Sequence, residues 1–169
     1  MQDGPAQLLR KTLKLVKIFE NLSESEAASF LRVARRLDVS PDELVVREGQ
    51  RGDDAYIIVR GHLRVIKRHA GEDVELARMH PGDAFGELAI IDDGPRSATV
   101  IADTEATLLR FNRDSLALQP AILIKVLTNI ARLMATRLRD ANHRVLSASL
   151  YQRENTDHPD LSLAGEPEE

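Results

Sequence analysis

Residues 81–100 read PGDAFGELAIIDDGPRSATV. Within them, Phe85-Gly86-Glu87-Leu88-Ala89-Ile90-Ile91 is too short for an independent helix and suits one or two turns. The first backbone N–H groups of such a turn have no partner inside it and form a ready seat for a phosphate. Gly86 lets a ligand approach the backbone with no Cβ in the way. Arg96 follows the turn Asp92-Asp93-Gly94-Pro95 and offers a planar fork of donors matched to phosphate oxygens. Glu87 cannot bind a phosphate, but it can accept hydrogen bonds from a sugar hydroxyl. An anion seat beside a carboxylate describes a phosphorylated sugar better than a bare anion. Taken alone, a Glu and an Arg nine residues apart also fit a structural ion pair across a turn.

On both sides of this segment the hydrophobic pattern has period 2. Leu44-Val45-Val46, 55–59 (AYIIV), 63–68 (LRVIKR) and 74–79 (VELARM) precede it, and 98–102 (ATVIA) and 106–111 (ATLLRF) follow it. Turn residues such as Glu48-Gly49, Gly61-His62, Gly71-Glu72 and Pro81-Gly82 recur about every ten residues, the rhythm of an antiparallel sandwich or roll.

Farther out the period becomes helical. Leu8, Leu9, Leu13, Val16 and Phe19 share one face, and the helical pattern extends to Leu37 with a break at 21–26. There Ser23 with Glu26 makes a capping box, so a second helix starts and buries Ala27, Phe30, Leu31 and Ala34. Ser40-Pro41-Asp42-Glu43 closes the region as a turn. Arg35-Arg36-Leu37-Asp38-Val39-Ser40 has the paired basic residues of a kinase-recognition site, but a helix terminus explains it better. At the other end, Pro120 opens a helix to about Leu150. It is apolar almost all round at first, then narrows to a seam of Leu127, Ile130, Met134, Leu138, Ala141 and Val145, with Arg132, Arg139 and Arg144 opposite. A second copy of the helix would cover that seam, and so would folding back on the roll. From Tyr151 the chain is polar and acidic, with Glu154, Asp157, Asp160, Glu166, Glu168 and Glu169 against Arg153, and is expected to be disordered.

Composition removes several function classes. There is no cysteine, hence no disulfide, thiolate metal site or thiol nucleophile. The net charge of −4, with aromatics at 4%, disfavours nucleic acid as the main partner. No signal peptide or membrane span is visible, and the expected location is cytoplasmic. His62, His69 and His80 lie seven and eleven residues apart, without the His-x-His of cupin metal sites, so they read as turn residues. Asp92-Asp93-Gly94 lacks the alternating acids of a calcium loop. Ser97 has no visible base, so it is a phosphate donor rather than a nucleophile.

The run FGELAIIDDGPRSATV resembles the phosphate-binding cassette of the cyclic nucleotide-binding domain family, which includes the bacterial catabolite activator and the regulatory subunit of protein kinase A. The resemblance spans roughly residues 10–145. It implies a mainly β fold, an eight-stranded antiparallel β-roll (jelly roll, double-stranded β-helix) with N-terminal helices and a long C-terminal helix. The implied boundaries are 1–37 for the helical region, 38–118 for the roll, with the cassette at 85–98, then 119–150 for the helix and 151–169 for the tail. By resemblance, Glu87 holds the ribose 2′-hydroxyl and Arg96 clamps the exocyclic phosphate oxygens. Gly86, Leu88, Ser97 and Ala98 supply backbone donors, and Phe85 and Ala89 complete the cassette. Ala77 stands where some cGMP-preferring members carry an arginine, which tilts the expectation to cAMP over cGMP. Arg137 matches the helix position that touches the base in the catabolite activator, where a hydroxyl residue is usual. The resemblance therefore implies a non-enzymatic sensor of cAMP or cGMP with no cofactor, the alternatives being a ligand-free structural or dimerisation module with a degenerate pocket and a binder of cyclic dinucleotides. Its expected partners are an effector protein and a second copy of itself, with neither DNA nor membrane. With few, acidic residues after Leu150, a stand-alone sensor is expected.

Overall fold

The computed structural model describes residues 15–92 and 94–156. Two compact units divide the chain, the first ending at Ala131 and the second beginning at Arg132. Eight strands of the first unit form two four-stranded antiparallel sheets. One has the order β1 (Arg35–Val39), β8 (Ala106–Asn112), β3 (Asp54–Arg60), β6 (Ala84–Phe85). The other runs β2 (Leu44–Val46), β7 (Thr99–Ala102), β4 (Leu63–His69), β5 (Glu72–Met79). The expected β-roll with flanking helices is what the chain forms.

The core lies between the sheets. Val39, Tyr56, Ile58, Phe85, Ala106 and Leu108 from the first meet Val46, Leu63, Val100 and Ala102 from the second. Side chains alternate along a strand, so Ala55, Ile57, Leu109 and Phe111 point to the opposite face of the first sheet, yet they too are buried. Helical residues cover that face. Phe111 meets Phe19 at 5.7 Å and Phe30 at 5.1 Å between ring centroids. This double cover explains why β3 is an unbroken apolar run rather than an alternating one.

Helix α1 (Glu24–Val33) starts at the expected capping box: the Glu26 N–H donates to Ser23 Oγ at 3.2 Å, and the Ser23 N–H donates to Glu26 Oε2 at 2.7 Å. Phe30 is fully buried and Ala27, Leu31 and Ala34 are half-buried. The helix ends sooner than expected, with Ala34 already extended. Residues 35–37, read as helix, are strand, and so is the Arg35-Arg36 pair read as a helix terminus. The residues of β1 pair with β8 from Arg35↔Arg110 to Val39↔Ala106, and that pairing outweighs a local pattern compatible with either state. Helix α2 (Arg113–Ala117), not foreseen, has its own capping box between Asn112 and Ser115.

Helix α3 (Pro120–Thr156) begins on the first unit. Ile122, Val126, Asn129 and Ile130 are buried there. The Asn129 amide donates to the Glu20 carbonyl at 2.8 Å, Gln119 to that of Ser29 at 2.8 Å, and Lys125 pairs with Glu26 at 2.7 Å. The helix runs six residues into the stretch expected to be disordered. Tyr151-Gln-Arg-Glu-Asn-Thr contains neither Gly nor Pro to stop it. The first expected helix does not continue to Phe19, because Val16 is extended and Lys17–Phe19 form only a 3-10 turn; its part before Leu15, the rest of the expected tail, 157–169, and the side chain of Val145 lie outside the described residues.

Candidate functional site

Strand β6 ends where Gly86 adopts a left-handed conformation, φ 71° and ψ 10°, and the chain drops into a short 3-10 turn, Glu87–Ile90. An L side chain is strained in that conformation, which is why glycine stands there. The turn is closed by the Ala89 N–H donating to the Gly86 carbonyl at 3.1 Å. Phe85 and Ala89 anchor it in the core, Phe85 stacking on Tyr56 at 5.0 Å and 13°. Glu87 is buried within the same turn, whereas Leu88 is exposed.

Arg96 is brought to this turn by its backbone. Its N–H donates to the Gln50 carbonyl at 2.9 Å, and its carbonyl accepts from the Gly49 N–H at 2.9 Å. An Asx turn precedes it, Gly94 N–H donating to Asp92 Oδ1 at 3.2 Å. The half-buried guanidinium lies between two glycines. A Cβ on Gly52 would stand 2.9 Å from Nη2, and one on Gly86 would stand 2.8 Å from Nη1. Nη1 donates to the Gly86 carbonyl at 3.4 Å, a long bond. Ser97 follows, exposed, and Ala98 is half-buried. A backbone turn, a half-buried guanidinium and a buried carboxylate within one short stretch suit a ligand with an anionic end and a hydroxyl.

Of the cassette residues, Gly86 and Arg96 thus meet, Glu87 follows Gly86 in the turn, and Ser97 and Ala98 follow Arg96 along the chain. The two remaining expected site residues are held by other elements. Ala77 is exposed on β5, opposite Val65 in the second sheet, and Arg137 is exposed on α3 in the second unit. His62 and His80 stand edge to face at 5.2 Å, and among the described residues no three metal-ligating groups converge.

Sequence reasoning missed Asp54, Tyr56 and Arg110. Arg110 pairs with Asp54 at 2.8 Å, and that bond holds its guanidinium more firmly protonated than usual. Burial, and after it the nearby Asp54 carboxylate, pushes the Tyr56 hydroxyl above its ordinary range; Arg110 and Arg96 pull the other way. Only the strand register, which sets Tyr56 opposite both Arg110 and Phe85, brings these groups together.

Residues 36–118 match the family model described as "Cyclic nucleotide-binding domain". A CRP-like cAMP-activated global transcriptional regulator of Mycobacterium tuberculosis is 32% identical over 129 residues, covering 76% of this chain and 58% of that protein. This chain therefore spans less than two thirds of that relative's length. Among solved structures, the catabolite activator protein of Thermus thermophilus superposes with a TM-score of 0.73 at 29% identity, over 79% of this chain and 63% of the other. The regulatory domain of Toxoplasma gondii PKA, solved with cAMP, gives 0.63 at 28% identity, over 69% and 46%.

Proposed function

Residues 36–118 belong to the cyclic nucleotide-binding domain family, and on that premise we propose that the chain binds a 3′,5′-cyclic nucleotide, cAMP in preference to cGMP, without transforming it. The observation that carries the reading is the Arg96 guanidinium seated between Gly52 and Gly86 in the same short cassette as the buried Glu87. The cyclic phosphate docks on the turn after Gly86 and on Arg96, trading the long bond to the Gly86 carbonyl for charge-assisted ones. Glu87 accepts the ribose 2′-hydroxyl, and Leu88, Ser97 and Ala98 add donors from the backbone. The preference for cAMP is supported by Ala77, which provides no guanidinium for a guanine edge, and by relatives whose names specify cAMP.

Occupancy is reported through α3 to a partner, an effector protein or a second copy of this chain. Leu138 and Leu146, exposed on the second unit, are the apolar groups such a partner would cover.

Isothermal titration of the chain with cAMP and cGMP, beside Arg96→Leu, tests the binding step. Charge-assisted hydrogen bonds contribute about 1.5–3 kcal/mol each, so Arg96→Leu weakens binding by about tens- to hundreds-fold. Its melting temperature should stay near that of the wild type. Unchanged affinity in the variant would remove Arg96 from the site. No heat with either nucleotide would leave a structural module as the better description.

A further inference from the structure

Asp54 and Arg110 form an ion pair that the proposed binding contacts do not use. Arg110 Nη2 lies 2.8 Å from Asp54 Oδ2, with the Asp54 side chain 14% exposed and that of Arg110 47% exposed. Arg110 stands opposite Tyr56 in the β3–β8 register, and Asp54 lies two residues before Tyr56 on the same strand. By strand alternation all three side chains share the face that carries the inter-sheet core, with Phe85 also opposite Tyr56.

Asp54 is also a neighbour of the phosphate seat. A Cβ on Gly86 would meet the Asp54 carbonyl at 2.9 Å and Arg96 Nη1 at 2.8 Å, so these two groups are no farther apart than the sum of those distances. The charges of Asp54, Arg110, Arg96 and Asp53 all act on the Tyr56 hydroxyl. Asp53 is exposed. Asp54 is mostly withdrawn from water, and a carboxylate so placed requires a cation. Arg110 is bonded to it, and the Arg96 guanidinium is the next cation, close to the backbone carbonyl of the same residue across Gly86. While Arg110 holds the carboxylate, the side-chain hydrogen bond that Arg96 makes among the described residues is the long one to the Gly86 carbonyl, which leaves the rest of its fork to an anion. With Arg110 gone, the carboxylate would turn to Arg96 and compete with the ligand for it.

We propose that Arg110 is a positioning residue that sequesters the Asp54 carboxylate and thereby keeps Arg96 available to the cyclic phosphate. The inference rests on the reading of Arg96 as the phosphate clamp.

The test is isothermal titration of the full chain with cAMP and with cGMP in the wild type, Arg110→Gln, Arg110→Lys and the double variant Asp54→Asn/Arg110→Gln. Melting temperatures are recorded for each. Arg110→Gln should lose about tenfold or more in affinity, and the double variant should return to within about threefold of wild type, the coupling expected of interacting neighbours. Both variants lack the same ion pair, so a purely structural role predicts equal losses in them; that equality overturns the inference, as does wild-type affinity in Arg110→Gln. Should Arg110→Gln fail to fold, Arg110→Lys and the double variant must both bind within about threefold of wild type, and a tenfold loss in the double variant overturns the inference. A wild-type chain that binds neither nucleotide overturns the functional reading along with it. A wild type that binds beside an unaffected Arg110→Gln overturns this inference alone.

Discussion

At Gly52 and Gly86 an added Cβ would come within 2.9 Å and 2.8 Å of the Arg96 guanidinium, yet the two positions should respond differently to substitution. Gly86 has φ 71°, and its Cβ would also strike the Asp54 carbonyl at 2.9 Å, a backbone atom that cannot swing away. The left-handed conformation alone costs an alanine about 1–2 kcal/mol. Gly86→Ala should therefore lower the melting temperature by several degrees and abolish tight nucleotide binding together. At Gly52 the atoms in the way belong to the far end of a flexible side chain, so the guanidinium shifts and the backbone does not. Gly52→Ala should keep its stability to within about 0.5 kcal/mol while losing about tenfold in affinity, because the reoriented fork no longer meets the phosphate. Titration and thermal melts of the two variants separate these outcomes. Wild-type affinity in Gly52→Ala would mean that the orientation of Arg96 does not govern binding.

Among the elements, α1 and the first turns of α3 hold one another through polar bonds at well-defined ends. The Ser23 cap satisfies a helix N–H that would otherwise be orphaned, and Ser23→Ala should cost about 1 kcal/mol by urea denaturation. Glu26 serves both the cap and the bond to Lys125. The hydrogen bond from Lys125, followed by those from Ser23, holds its carboxyl down from 4.5 to about 2. A carboxyl with a lowered folded pKa stabilises the fold above its unfolded value. That contribution is present in full above about pH 4.5 and is lost as pH falls toward 2. The stability difference between wild type and Glu26→Gln should be constant near neutrality and shrink across that window in denaturation at stepped pH; a difference independent of pH would exclude the mechanism. Ile130, fully buried where α3 seats on the first unit, should cost about 2–5 kcal/mol on change to alanine.

For the molecule as a whole, a ligand that binds only the folded state adds stability by mass action. At a hundredfold excess over its dissociation constant the gain is about 2.7 kcal/mol. The preferred nucleotide should therefore raise the melting temperature by several degrees in wild type but not in Arg96→Leu, and no shift in either would contradict the proposed function. Much of this architecture was legible in local pattern. The capping box at Ser23 and Glu26, six of the eight strands, the turn after Gly86 and the helix from Pro120 each follow from residues a few positions apart, because caps, turns and hydrophobic periods are local physics. So did the cassette, since Gly86, Glu87 and Arg96 lie within a single short stretch. What local pattern could not decide was anything set by which strand lies beside which. Residues 35–39 fit a helical face as well as a strand until β8 supplies the pairing, and β6, two residues long, exists only against Tyr56 and Ile57 of β3. The Asp54–Arg110 pair joins residues 56 apart in sequence, and it is placed by the β3–β8 register alone. Local pattern thus carries the roll, the Ser23 cap and the composition of the cassette, whereas the closure of the sheets decides which charges pair across β3 and β8. The reason is that hydrogen-bonded register is a property of two distant segments at once, and neither carries it alone.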